Sequence, residues 1–232
     1  MGAAIGWGAL AASSLVIGAL LAFAVDIPKR TLGLVLAFGA GALISAVSFE
    51  LAEEGLAVGG FGWTALGLAA GALSYFGLDG VISRRFGDDG GTALALGAFL
   101  DGIPEQLVLG LGIAGGAGVS VGLLAAIFVS NLPESIGSAH QMRDAGGRSE
   151  RSIIGLWLGV AAIALLSSIA GYALGDVFTG GMRAAIDGFA AGALLVMLID
   201  SMIPDARKDG GRLAGLATVL GFAVALALSS VS

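Results

Sequence analysis

Long apolar runs separated by short polar breaks fill the chain. Eight runs of roughly 18 to 24 residues, long enough to span a bilayer as helices, fall near residues 4–25, 32–51, 61–82, 92–113, 118–141, 152–175, 183–204 and 211–231. The breaks between them are too short to hold a soluble domain. The pattern predicts an all-α polytopic membrane protein with eight transmembrane helices.

Composition sharpens this picture. The chain is 57% hydrophobic and 12% charged, a balance that soluble domains rarely show. Glycine supplies 41 of 232 residues, without a collagen period. In a membrane that richness suits close helix–helix packing, as at Gly39-Ala40-Gly41 and Gly67-Leu68-Ala69-Ala70-Gly71. Such faces would serve a homodimer or the interior of the bundle equally well. With no cysteine, there is no thiolate ligand, and His140 is the one histidine. A net charge of −6 without a basic run argues against nucleic acid as a partner. Residues 1–24 lack the basic start of a signal peptide and are read as the first span.

Basic residues set the orientation. Ten of the eleven Lys and Arg fall in alternate breaks, at Lys29 and Arg30, Arg84 and Arg85, Arg143, Arg148 and Arg151, and Arg207, Lys208 and Arg212. Only Arg183 falls on the other side. By the positive-inside rule the basic side is cytoplasmic and both termini are outside. The expected location is a bacterial-type plasma (inner) membrane. Glu53, Glu54 and Asp176 mark the opposite side as acidic, with Glu50 and Asp187 at helix ends. An acidic vestibule there would concentrate cations, although acids in short loops are also ordinary solvated helix ends.

An internal repeat organises the spans. Phe38-Gly39-Ala40-Gly41-Ala42-Leu43 in the second matches Phe189-Ala190-Ala191-Gly192-Ala193-Leu194 in the seventh, which aligns Glu54 with Asp205. The first and sixth spans each carry an early tryptophan, Trp7 and Trp157. Three spans thus recur after an offset of five, which is odd, so the triplets run in opposite directions. The expected organisation within one domain, residues 1–232, is a 3+2+3 inverted repeat: residues 1–82, a central pair at 92–141, and residues 152–232. Transporters so built place their site near the midplane, on broken helices.

Three of the four prolines sit in apolar runs, each followed at once by an acid: Asp101-Gly102-Ile103-Pro104-Glu105, Ser130-Asn131-Leu132-Pro133-Glu134 and Asp200-Ser201-Met202-Ile203-Pro204-Asp205. A carboxylate at the centre of a membrane helix costs roughly 2.5–3.5 kcal/mol on insertion scales. An interior proline costs about 3 kcal/mol in water and frees a carbonyl. Such pairings are expected where the polar groups bind something. Residues four apart share a helix face, so Asp101 stacks on Glu105 and Ser130 on Glu134, with Asn131 alongside. Freed carbonyls near Leu100 and Ser130 add oxygen donors. If the two helices face each other, Asp101, Glu105, Ser130, Asn131 and Glu134 make an oxygen-rich site for a divalent cation. The plain alternatives are kinks at the prolines, an interhelical hydrogen bond from Asn131 and a backbone bond from Ser130. Glu50 is placed at the entrance; His140, Asp200 and Asp205 are placed on an exit path, or at the interface.

These motifs resemble those of the ZIP (Zrt/Irt-like) family of divalent metal transporters. That family has eight helices with both termini outside, His-Asn-x-Pro-Glu-Gly in the fourth and a polar-polar-x-Pro-Glu (or His-Glu-x-Pro) motif in the fifth. The positions here read Asp101-Gly102-Ile103-Pro104-Glu105-Gln106 and Ser130-Asn131-Leu132-Pro133-Glu134-Ser135. The resemblance covers essentially the whole chain. It implies that Glu105 and Glu134 are central metal ligands, with Asp101 at the family's histidine and Ser130 and Asn131 at the polar positions of the fifth helix. The chain departs from the family at Gly102, where the motif has asparagine, and in the sixth span, which has Ser167 and Ser168 and no acid. The break after Ser83 has no histidine. One principal site is therefore expected rather than two. Without imidazole, manganese, iron(II) or magnesium gains on zinc.

The expected activity is secondary transport of a divalent metal toward the cytoplasm, with the metal as cargo, the bilayer as surroundings, and neither a prosthetic group nor enzyme chemistry. Metal and protons would compete for the same carboxylates, so flux is expected to vary with pH. A cation channel would use the same residues. An intramembrane aspartyl protease also needs two membrane acids, but its Gly-x-Gly-Asp signature is absent.

Overall fold

The computed structural model describes residues 1–86, 90–115 and 119–230, with the side chains of residues 86, 90–94, 97, 98 and 101 outside that description. Among the described residues the chain is helical, without strands. The helices are α1 (Gly2–Ala24), α2 (Lys29–Ala46), α3 (Glu54–Phe86), α4 (Gly90–Ala114), α5 (Val121–Ala145), α6 (Glu150–Leu174), α7 (Gly181–Met197), α8 (Ile203–Gly210) and α9 (Ala214–Ser229). Among the described residues, five helical stretches are long and apolar enough to cross a membrane: Gly2–Ala24, Lys29–Arg85, Val121–Ala145, Glu150–Leu174 and Gly181–Ser229. The chain is accordingly a helical integral membrane protein.

Local sequence explains where these helices begin and break. The hydroxyls of Ser120 and Ser149 cap α5 and α6 by accepting from Leu123 N (3.1 Å) and Ser152 N (3.3 Å), which satisfies amides that a helix start leaves open. Lys29–Arg85 covers 57 residues, about 85 Å if straight against a hydrocarbon core of about 30 Å. It is not straight. α2 passes through a π-helical segment, Val47–Glu53, into α3. Six residues further on, Gly60 takes φ 79°, a conformation that only glycine adopts cheaply. Gly181–Ser229 is broken in the same way, by π-helical Leu198–Met202 and by Gly211 at φ 63°. Aligning Gly41 with Gly192 also aligns Val47 with Leu198, the residues at which the two π segments begin.

Packing repeats the correspondence. α2 lies against α9, and α7 against α3; α1 lies against α5, and α6 against α4. Glycines make these contacts close. A Cβ on Gly41 would collide with the Thr218 carbonyl of α9, and one on Gly192 with the Leu68 carbonyl of α3. Gly18 of α1 meets the Leu132 carbonyl of α5, and Gly171 of α6 meets the Leu107 carbonyl of α4. Backbones that approach this closely gain dispersion contact, the main attraction available between helices in lipid. Gly41→Val is therefore expected to destabilise the fold by about 1–3 kcal/mol, the usual cost of overpacking, measurable as a lowered unfolding temperature in detergent.

Two apolar clusters flank the central helices. One joins Leu43, Leu51, Leu109, Ile127 and Leu194; the other joins Leu15, Ile136, Met142, Ile153 and Trp157. α5 contributes to both and packs on α1, α2 and α4.

Candidate metal site

α4 and α5 carry the site, and both continue as helices through their prolines, Pro104 and Pro133. Glu134 lies roughly 17–20 Å from either end of α5 at 1.5 Å per residue. It therefore sits at mid-depth. Glu105 is 1% exposed, and among the described residues neither of its carboxylate oxygens has a hydrogen-bond partner. The charge of Glu134 and the amide of Asn131 act on it, but the amide stops short of hydrogen-bonding geometry. An ionisable group so placed is costly unless something occupies its oxygens.

The remaining donors come from α5. Ser130 and Asn131 are 1% and 2% exposed. The Ser130 hydroxyl donates to the Ile127 carbonyl at 3.1 Å, which leaves its oxygen lone pairs free to accept or ligate. Glu134 is only partly buried. Close packing from α2 fixes this segment: a Cβ on Gly39 would lie 2.9 Å from Ser130 Cα and 3.1 Å from the Met202 methyl. Asp101 belongs to α4, but its side chain lies outside the described residues. Among the described residues no three His, Asp or Glu side chains gather closely enough to hold a metal. The described acidic core of the site is thus a pair, Glu105 and Glu134, accompanied by the amide and hydroxyl oxygens of Asn131 and Ser130.

A cavity opens toward each end of the bundle. The acid-end cavity, about 280 Å³, is lined by Glu50, Glu54, Arg183 and, from α4, Val108, Leu109 and Gly112. Leu109 follows Glu105 by one helical turn, and Val108 and Leu109 are 3% and 2% exposed. An apolar layer therefore separates this cavity from the carboxylates. The basic-end cavity, about 360 Å³, is lined by Gly137, His140, Arg143, Asp205 and Lys208 among others. Gly137 lies one turn beyond Glu134, and Asp205 acts electrostatically on Glu134. Arg143 shapes this mouth by donating to the Ala22 carbonyl at the end of α1 (2.8 Å), where the helix dipole favours a cation.

The other residues singled out in the sequence separate. Glu50 lines the acid-end cavity, while His140 and Asp205 line the basic-end one. Asp200 lies elsewhere. It is exposed, lines a groove with Leu68, Ala72 and Phe76, and acts on Asp79 of α3. The pairing of Arg183 with Asp187 went unread in the sequence. Asp187 is fully buried, and Arg183 Nε donates to both its oxygens at 3.0 and 2.9 Å. The signal was present as opposite charges four residues apart on one helix.

No protein-family model matches the chain. A curated protein of Arabidopsis thaliana named "Putative zinc transporter" is 28% identical to it over an alignment of 218 residues that covers 88% of this chain and 35% of that relative. The chain thus spans about a third of the length of the relative it matches. The relative's name agrees with the ZIP resemblance drawn from the Pro-Glu motifs.

Proposed function

We propose that the chain is a secondary transporter that carries a divalent metal cation across a membrane through Glu105 and Glu134. The observation that carries this reading is the buried, unpartnered Glu105 carboxylate beside Glu134, with a cavity on either side of the pair. The name of the plant relative adds independent support and puts zinc first among the cargoes to test. The oxygen-rich donor set keeps manganese and iron(II) beside it.

On this reading the two long stretches each cross the membrane twice, turning at their π segments and glycines, and the chain makes eight passes. The π segments at matching positions and the paired contacts α2–α9 with α7–α3, and α1–α5 with α6–α4, are what an inverted 3+2+3 repeat would give. The basic end faces the cytoplasm, so cargo enters past Glu50 and Glu54 and leaves past Asp205 and His140. At mid-depth Glu105, Glu134, Asn131 and Ser130, with Asp101 from the preceding turn, replace part of the hydration shell. Alternating access then exposes the pair to one cavity at a time. The partly exposed Glu134 and the apolar layer at Val108 and Leu109 suit a state open toward the basic end.

Proteoliposomes holding the purified chain, offered zinc, manganese, iron(II), cobalt, cadmium and magnesium in parallel, test the proposal. Saturable uptake of at least one metal is expected. No uptake above empty liposomes, with folded protein and a favourable gradient, would contradict it; single-channel currents would replace the carrier with a channel.

A further inference from the structure

Among the described residues lining the acid-end cavity one cation, Arg183, stands with the acids Glu50 and Glu54, and two partners hold it. Arg183 stands in the first turn of α7. Its Nε is fixed by both oxygens of Asp187, which is 0% exposed. Its Nη1 donates across the cavity to the carbonyl of Leu111 in the last turn of α4, at 3.3 Å. The same carbonyl accepts from Gly115 N at 3.1 Å, so Arg183 sits where the dipole of α4 ends and where a cation is favoured. The charge of Glu54 also acts on Asp187, and Glu50 and Glu54 line the cavity that Arg183 faces.

We infer that Arg183 is a positioning residue that latches α4 to α7 and keeps the acid-end cavity closed to Glu105. The inference rests on the transport reading for its purpose, though not for its geometry. The layer that seals the cavity, Val108 and Leu109, belongs to the turns of α4 between Glu105 and the latched carbonyl of Leu111. While that carbonyl is held, the layer stays seated. When it is released, the end of α4 is free to part from α7, and the cavity extends toward the carboxylates. A divalent cation entering beside Glu50 and Glu54 repels the guanidinium and competes with it for the same negative field, so arriving cargo loosens the latch. Arg183 never touches the bound metal in this scheme; it acts through the position of α4.

The chain has no cysteine, so one introduced thiol reports on one place. Val108→Cys reports on the acid-end seal. Gly137→Cys reports on the basic-end cavity, where an added Cβ meets nothing within 4 Å. Each reporter is placed in the full chain in nanodiscs, where both faces are open to a water-soluble thiol reagent, and labelling rates are compared with and without Arg183→Gln. The expected result is faster labelling at 108, by roughly tenfold for a shift of one decade in the two-state equilibrium, and slower labelling at 137. Asp187→Asn, which releases the guanidinium without removing it, is expected to move both rates in the same directions, and Arg183→Lys to restore them in part. Rates at both positions that rise together would show general loosening and overturn the latch, as would rates that do not change. Because labelling needs no metal, opposed shifts would uphold the latch even if uptake failed, whereas uptake with unshifted labelling would retain the transporter and discard the latch.

Discussion

Glu105→Gln is expected to lower divalent-metal uptake by about a hundredfold while the chain stays folded. Loss of a group that merely supports a metal ligand costs roughly 10- to 100-fold in affinity, so removal of a ligand belongs at or beyond the upper end. The amide preserves the size of the side chain. Among the described residues nothing is bonded to the two oxygens it alters, so the metal-free unfolding temperature should hold or rise. The wild type, in contrast, should gain about 2.7 kcal/mol when metal is a hundredfold above its Kd, and the variant should gain nothing. Uptake and metal-dependent unfolding, measured on the same preparations, check both halves. A purely structural role for the pair predicts equal behaviour with and without metal for both proteins.

The second large effect comes from a residue that binds nothing. Gly39→Val is expected to weaken metal affinity tenfold or more. Its Cβ would lie 2.9 Å from Ser130 Cα, closer than such carbons approach, and the backbone of α5 cannot swing aside as the Met202 methyl can. α5 must shift, and Ser130, Asn131 and Glu134 shift with it. Misplacement of about 1 Å costs on the order of 100-fold in a preorganised reaction site; a cation held by several oxygens has a similar tolerance. Gly39→Ala should give the smaller version of the same change. A metal titration followed by calorimetry separates this loss of affinity from a general loss of stability, which thermal unfolding reports.

Both effects concern residues that differ in how readable they were. Glu105, Asn131 and Glu134 stood out because a carboxylate or amide deep in an apolar run is costly, and the structure brings them together. Asp101 was as conspicuous in sequence, but its side chain lies outside the described residues. Asp200 opens the third of the proline–acid motifs and yet lies apart, where its charge acts on Asp79. Spacing along a helix fixes which residues share a face, but not which neighbour that face meets. The sequence places Asp187 at a helix end, either in an acidic vestibule or simply solvated, and it is buried. An ion pair within one helix makes such burial tolerable, and neither hydropathy nor loop charge registers it.

Helix ends show a similar division. The apolar runs located the helices, because twenty apolar residues have few other stable arrangements in lipid. Their breaks were harder to see. The second run was expected to end near residue 51, but the helix continues through the π segment and into Glu54 before Gly60 turns it. Residues 47–59 contain no proline, and the acids among them, Glu50, Glu53 and Glu54, are compatible with a helix. Pro204 looked equivalent to Pro104 and Pro133, and it instead stands just beyond a π segment, as the second residue of α8.

The central claim is that Glu105 and Glu134 hold the cargo. Equilibrium dialysis of the purified chain against zinc, and in parallel against manganese, followed by elemental counting of metal per chain, tests it most directly. About one tightly held ion per wild-type chain is predicted for a site of this donor set, and none for Glu105→Gln/Glu134→Gln. A doubly substituted chain that keeps its ion with undiminished affinity would place the metal elsewhere and contradict the account.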